Sequence, residues 1–260
     1  MTEAFVKKPS GEVPLMEEIY EANAEYDDII TAERVAELDA AIAEFANRVK
    51  NQGAPVLDIG AGTGRLTCRL AELIETCEVF AIEPTRSLRA VLASRISDNE
   101  RLTGQITVLP QSLADAAPML PEQLGGAIGF GLLPHLEKSE RYNMLRLIVE
   151  RLTPNGSALF EVMPPWTNEP VARMSVADRT QGRHRIECFM EACPVGETQL
   201  RWTVTYRRSD QHGTVVHEAT ADSMCWVTTP AAFEAQARSV GLDVAWPAPE
   251  LALLSRTTSR

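Results

Sequence analysis

Along residues 32–49 the apolar side chains Val35, Leu38, Ile42, Phe45 and Val49 recur at alternating spacings of three and four, which gathers them on one face of a helix. Thr31 stands just before this run with a hydroxyl suited to cap its first turn, so a helix is predicted over 32–49. The pattern then changes to short apolar blocks separated by amphipathic stretches. Strands are predicted at 55–59, 78–82, 106–109, 126–130 and 157–162, and helices at 63–75, 86–96 and 139–152. The strand blocks lack polar alternation, as expected where a parallel strand is covered on both faces. This order predicts an α/β doubly wound fold, a mostly parallel sheet with helices on both faces.

"LTPNGSALFEV" predicts a helix end, a Pro-Asn-Gly turn and a further strand. From 183 to 228 the chain reads as antiparallel strands, "TQLRWTVTYRRS" and "TVVHEATADSMCWV", joined by "DQHG", whose glycine suits a hairpin turn. Thr229 and Pro230 predict the start of a helix running to Val240, with Gly241 as its C-terminal cap. Residues 1–18 read as a mobile leader, and no repeat or low-complexity segment interrupts the chain.

Composition narrows the classes. With 260 residues, 45% of them hydrophobic, the chain can bury a sizeable core. A net charge of −11 argues against a nucleic-acid partner, which needs a basic patch for phosphates. No run approaches the ~18 apolar residues of a membrane span, and the first ten residues lack a signal peptide's apolar core. A cytoplasmic protein without membrane contact is expected. Five cysteines with no C-x-x-C pair suggest neither a disulfide framework nor zinc, and no Asp/Glu/His cluster at ligand spacing suggests a catalytic metal.

Candidate chemistry concentrates in "VLDIGAGTGRLT", residues 56–67, where Gly60, Gly62 and Gly64 fall at the boundary between strand and helix. Without Cβ atoms this backbone can turn sharply and touch a ligand, with free N–H groups of the new helix facing it. The G-x-G-x-G spacing is one residue short of the dinucleotide fingerprint, so a ligand with an amino-acid end fits better than a pyrophosphate. The next strand, "VFAIE", ends at Glu83, where a carboxylate can accept two hydrogen bonds from a ribose diol.

"VLDIGAGTG" followed by "VFAIEPT" resembles the first two motifs of class I S-adenosylmethionine-dependent methyltransferases, and the resemblance runs in motif order over about residues 30–162. It implies a seven-stranded type of sheet and S-adenosyl-L-methionine as cofactor. Gly60, Ala61, Gly62 and Gly64 would form the loop beneath its methionine part, and Asp58 would support the loop or the amino group. Glu83 would hold the ribose, and Pro84 and Thr85 would lie near the adenine. Where the family usually places an acidic residue after the third strand, this chain offers Gln111, Ser112 and Leu113, and Ser112 can still hydrogen-bond. "GGAIGFGLLPHL" is similar to the family's fourth-strand stretch, with Gly126 in place of the usual aspartate and Gly129, Phe130 and Gly131 beside the methionine moiety and acceptor.

The acceptor side is marked more softly. His135 follows the fourth strand at the carboxyl edge of the sheet and is a candidate acceptor-side base or orienter, against a reading as helix packing. Glu161 and Trp166, in "FEVMPPWTNEP", could attract and cover a substrate ammonium. That stretch, the antiparallel strands and the final helix resemble the small-molecule branch that dimethylates sugar amines in natural-product pathways. Tyr20 and Tyr26 resemble the tyrosines that such enzymes place on an N-terminal lid over the cofactor, which implies Tyr26 at the cofactor and Tyr20 at the substrate, and a surface helix with a tyrosine on its apolar face is the competing reading. The resemblance divides the chain into a leader and lid (1–30), a cofactor-binding core (31–162) and an acceptor-side addition that completes the same domain (163–260).

The function expected is methyl transfer to an amine of a small molecule or short peptide, with an oxygen or carbon acceptor as the alternative. A nicotinamide-dependent oxidoreductase and a non-catalytic cofactor-binding relative remain open at this point. The added hairpin offers strand edges that could pair across a homodimer.

Overall fold

The computed structural model describes residues 16–257, with side-chain surroundings from residue 24 onward. Helix α1 (Met16–Val49) leads into β1 (Val56–Ile59), α2 (Arg65–Ile74), β2 (Val79–Ile82), α3 (Arg86–Ser97), α4 (Glu100–Gln105) and β3 (Ile106–Leu109). Helix α5 (Leu113–Ala116), β4 (Leu124–Gly129), α6 (Lys138–Arg151) and β5 (Leu152–Glu161) follow. Four long strands come next, β6 (Val171–Gln181), β7 (His184–Val195), β8 (Gln199–Ser209) and β9 (Val215–Trp226). The described chain closes with α7 (Pro230–Ser239), β10 (Leu242–Ala248) and β11 (Leu251–Arg256).

The first sheet has seven strands in the order β10-β11-β5-β4-β1-β2-β3. Strands β3, β2, β1, β4 and β5 are parallel, while β11 runs antiparallel to β5 and β10 to β11. Side chains alternate across the strands, so Val56 packs into one core and Leu57 and Ile59 into the other. On Val56's face lie Leu38, Ile42, Phe45 and Val49 of α1, with Leu70 and Ile74 of α2 and Leu92 of α3. On the opposite face lie Met144, Leu145 and Ile148 of α6 and Phe233 of α7. This is the doubly wound α/β arrangement that the apolar blocks predict.

The structure departs from the sequence expectation in three ways that bear on the site. Helix α1 begins at least fifteen residues before Thr31, whose hydroxyl donates to the Asp27 carbonyl at 2.8 Å inside the helix instead of capping it. The early turns persist because they have a tertiary partner: Tyr26 is fully buried against the second sheet, with Ile29 and Ile30 packed beside it. Of the leader expected over 1–18, residues 16–18 belong to α1, and the remainder lies outside the described residues. Second, Pro154–Gly156 makes no turn. It lies within β5, between the pairs Leu124↔Leu152 and Gly126↔Ser157, where extra residues on β5 bulge and Pro154 has no N–H to give the ladder. Third, β6, β10 and β11 join sheets where the pattern predicts no strand. Most of β6 is exposed and lacks a clean period of two, which hides it.

Strands β6-β7-β8-β9 form a separate antiparallel sheet in chain order. Its last hairpin turns at Gly213 (φ +82°), with the Asp210 carboxylate accepting the His212 and Thr214 amides at 2.8 and 2.9 Å. Thr229 caps α7 by accepting the Ala232 amide at 3.1 Å, and Gly241 sits at φ +91° beyond its end, both as expected. Gly126 also receives a physical reason. A Cβ there would stand 2.7 Å from Val49 and 2.8 Å from Phe45, so α1 packs directly onto the β4 backbone.

Candidate functional site

The glycine loop leaves β1 at the carboxyl edge of the parallel strands, where open α/β sheets bind ligands. Its position is fixed from below, since the Gly60 and Ala61 amides both donate to the Ile82 carbonyl at 2.9 Å. Gly60, Gly62 and Gly64 have φ of +76°, +57° and +82°, in the left-handed region. Their surroundings separate them. A Cβ on Gly62 meets nothing within 4 Å, so that backbone faces open space, whereas one on Gly64 would lie 2.2 Å from Leu92 Cδ1. Gly62 therefore belongs to the open side of a cradle, and the missing side chain of Gly64 lets α2 and α3 approach.

Asp58 lies beneath the loop, 3% exposed, with Oδ2 accepting the Thr67 hydroxyl at 2.6 Å. Burial pushes its carboxyl up to about 7. Of the two roles expected for it, this geometry serves support of the loop. Glu83 occupies the end of β2, where Oε2 accepts the Gly62 amide and Oε1 the Thr85 amide, both at 2.8 Å. Burial raises its pKa while these amides oppose the rise. Each oxygen retains a lone-pair site, which is what two ribose hydroxyls require. Pro84 is exposed beside it, Thr85 is buried, and Arg89 donates to both the Glu83 and Pro84 carbonyls at 2.8 Å.

After β3, Ser112 caps α5, accepting the Asp115 amide at 3.3 Å and donating to the Asp115 carboxylate at 2.7 Å, while Leu113 packs on the core. Gln111 beside them has a buried side-chain oxygen with no hydrogen-bond partner. An orphaned acceptor at this strand end matches the amino donor of an adenine, so the residues present fit an adenosyl ligand from Glu83 to Gln111.

On the acceptor side, a Cβ on Gly129 would stand 2.6 Å from the Phe160 ring, Phe130 packs toward α1's core, and Gly131 turns at φ +62°. His135 ends a 3-10 turn (Leu133–His135) that packs against β9. Burial pulls its imidazole down to about 4, so the ring is neutral at ordinary pH. Glu161, 2% exposed, is not left to attract an ammonium. Its Oε1 accepts Arg34 Nε at 2.6 Å and its Oε2 accepts the Gly131 amide at 3.0 Å, and Arg34 also reaches Glu250 at 2.5 Å. Trp166 follows the cis Pro164–Pro165 peptide and donates to the Val162 carbonyl at 3.1 Å.

Tyr26 is 0% exposed and stacks on Tyr206 with centroids 4.7 Å apart and planes 11° apart, and the Arg208 guanidinium lies 5.5 Å from its ring centre. It has no surface left for a cofactor, so it serves as the joint between α1 and the second sheet. Tyr20 falls on α1, but its side chain lies outside the described residues. Gln111 was named beside Ser112 without a role of its own, and Asp27 and Arg34 were not singled out from the sequence. Gln111 was legible from its place two residues beyond β3, whereas Asp27 and Arg34 sit in a helix half whose partners are distant in sequence.

A seven-stranded sheet of this order, a glycine cradle and a strand-end glutamate held by the cradle's own amide define one class: the S-adenosylmethionine-dependent methyltransferases of class I. Residues 56–156 match the family described as methyltransferase domain, and the protein is an enzyme of that class with S-adenosyl-L-methionine as its cofactor. No curated protein matches the chain in sequence. Among solved structures the fold is similar to that of DesVI from Streptomyces venezuelae, with a TM-score of 0.69 and 14% identity over 95% of this chain and 100% of that one. It is similar to CalS10 from Micromonospora echinaspora, an amino pentose methyltransferase involved in calicheamicin biosynthesis (TM-score 0.67, 17% identity, 95% and 100% covered). A third likeness is to KedS8, a sugar N-methyltransferase from a Streptoalloteichus species (TM-score 0.63, 15% identity, 99% and 99% covered).

Proposed function

We propose that the protein methylates an amine of a small molecule, with an amino sugar as the favoured acceptor and a place in secondary metabolism. The observation that supports this most is the four-stranded sheet that α1 holds beside the cradle. The fold likeness to an amino pentose methyltransferase and a sugar N-methyltransferase runs over that added sheet as well as the core, with 95% and 99% of this chain covered. Residues 163–260 are then the acceptor side, with His135 facing it from the core.

Bound S-adenosylmethionine supplies a sulfonium methyl group already activated for in-line displacement. The chain's task is alignment and exclusion of water. Glu83 would hold the ribose diol, the Gly60–Gly62 backbone would lie under the methionine end, and Gln111 Oε1 would accept from the adenine amine. An attacking amine must present a free lone pair. His135, held near pKa 4 by burial, orients the neutral amine through a hydrogen bond, and the proton shed by the methylated nitrogen passes to solvent. Arg34 neutralises Glu161, so the edge near Gly131 is not a magnet for ammonium, and the acceptor is bound by shape and hydrogen bonds more than by charge.

The test is incubation with S-adenosylmethionine and a panel of amino sugars, short peptides and phenols, followed by mass spectrometry of the products. Methylation of amino sugars at nitrogen is expected, with turnover reduced and cofactor binding retained in His135→Ala. Products methylated only on phenolic oxygen or on carbon would overturn the amine reading.

A further inference from the structure

Four carboxylates surround the glycine cradle, and three are satisfied. Glu83 accepts two backbone amides, and Asp58 is sealed beneath the loop on Thr67. Asp28 of α1 is ion-paired to Arg95 at 2.5 Å and accepts the Thr63 hydroxyl at 2.7 Å. The fourth, Asp27, has only a 3.3 Å approach from that same Thr63 hydroxyl. A hydroxyl has one proton, and the shorter bond to Asp28 takes the larger share of it, so Asp27 is left with one weak donor. Among the described residues no Lys, Arg or His forms an ion pair with Asp27, and Arg95, whose charge acts on it, is committed to Asp28.

Asp27 is half-buried, and holding a carboxylate there without a cation is costly, with no evident need for it in folding alone. Thr63 is the residue directly after Gly62, so Asp27 stands at the rim of the cradle on the side where α1 crosses it. Methionine's end of the cofactor offers the missing group. We infer that Asp27 receives the α-ammonium of the bound cofactor's methionine moiety, an assignment that rests on the methyltransferase reading of this site.

The groups facing Asp27 are Asp28 on α1, Thr63 in the cradle, Glu83 at the end of β2, Arg95 on α3 and Tyr206 on β8. Burial first, then the Asp28 charge, pushes the Asp27 carboxyl up to about 6. A cationic ligand selects the ionised form, so its affinity falls as pH drops through that value.

The experiment is calorimetric titration with S-adenosylhomocysteine, which has the ammonium, and with 5′-methylthioadenosine, which keeps the adenosine and thioether but lacks the amino-acid end. In Asp27→Asn, affinity for S-adenosylhomocysteine is expected to fall about tenfold or more, as for loss of a charge-assisted hydrogen bond, with methylthioadenosine affinity unchanged. In the wild type, which needs no variant to fold, S-adenosylhomocysteine affinity is expected to weaken from pH 7.5 to 5 while methylthioadenosine affinity stays level. An unchanged S-adenosylhomocysteine affinity in Asp27→Asn, or equal losses for both ligands, would overturn the assignment. Failure of the wild type to bind either ligand would instead strike the cofactor reading itself.

Discussion

Glu83 and Glu161 end two parallel strands of one sheet, both are nearly sealed from solvent, and both accept a backbone amide from a glycine turn. Their remaining partners differ. Glu83 has the amide and the hydroxyl of Thr85 and, among the described residues, no ion pair, so its charge is solvated by dipoles and stays available to a ligand. Glu161 has a guanidinium, from Arg34, which also reaches Glu250 and so fastens α1 to β5 and to the turn before β11. A carboxylate at the ligand edge of an α/β sheet is thus not by itself a ligand contact. The counter-charge decides, and in Glu161 it makes a clamp.

The largest expected effect comes from breaking the clamp. Arg34→Ala leaves Glu161 buried without its cation and should destabilise the fold by about 2–3 kcal/mol, below the full loss for a buried pair because 35% of the Arg34 side chain is already in water. Urea denaturation measures this. Replacing both partners, as Arg34→Met with Glu161→Leu, should recover most of the loss. If the single variant were as stable as the wild type, Glu161 would have to be satisfied by another group, and the contrast with Glu83 would dissolve.

A smaller effect concerns His135, the third ionisable group at this edge. Its folded pKa, near 4, lies below the ordinary value of about 6.5, so the unfolded chain binds the extra proton between those values. Stability from the neutral ring is therefore full above pH 6.5 and is lost as pH falls toward 4, by about 1–2 kcal/mol between pH 7 and 5. Asp27 and Asp58, pushed up to about 6 and 7, act with the opposite sign, since their folded-state cost is relieved on acidification. The comparison is accordingly made between the wild type and His135→Gln, in which the two aspartates cancel. Parallel stability curves would mean that the imidazole is protonated in the folded protein as freely as in the unfolded one.

The same contrast governs what was legible in the amino-acid sequence. The five parallel strands and their helices announce themselves because burial on both faces leaves unbroken apolar blocks, and Glu83 is found because its distance from the glycine loop is set by one β-α unit. Arg34 is 127 residues from Glu161, and no local spacing connects them. Tyr26 misleads for a related reason: its meaning depends on Tyr206, a stacking partner on a strand of another sheet. Strands β10 and β11 escape because β11 joins β5, and β10 joins β11, in reversed direction after a long insertion. Gly64 reads as one of three equivalent cradle glycines until Leu92 is seen against it.

The most direct measurement is a titration of S-adenosylhomocysteine into the wild type, Glu83→Gln and Glu161→Gln under one set of conditions. Loss of the Glu83 charge should weaken binding by roughly 1–3 kcal/mol, through two charge-assisted hydrogen bonds to the ribose, while Glu161→Gln, still able to accept from Arg34, should bind nearly as the wild type does. Unchanged binding in Glu83→Gln, or an equal loss in Glu161→Gln, would contradict the division of the two glutamates into ligand holder and clamp.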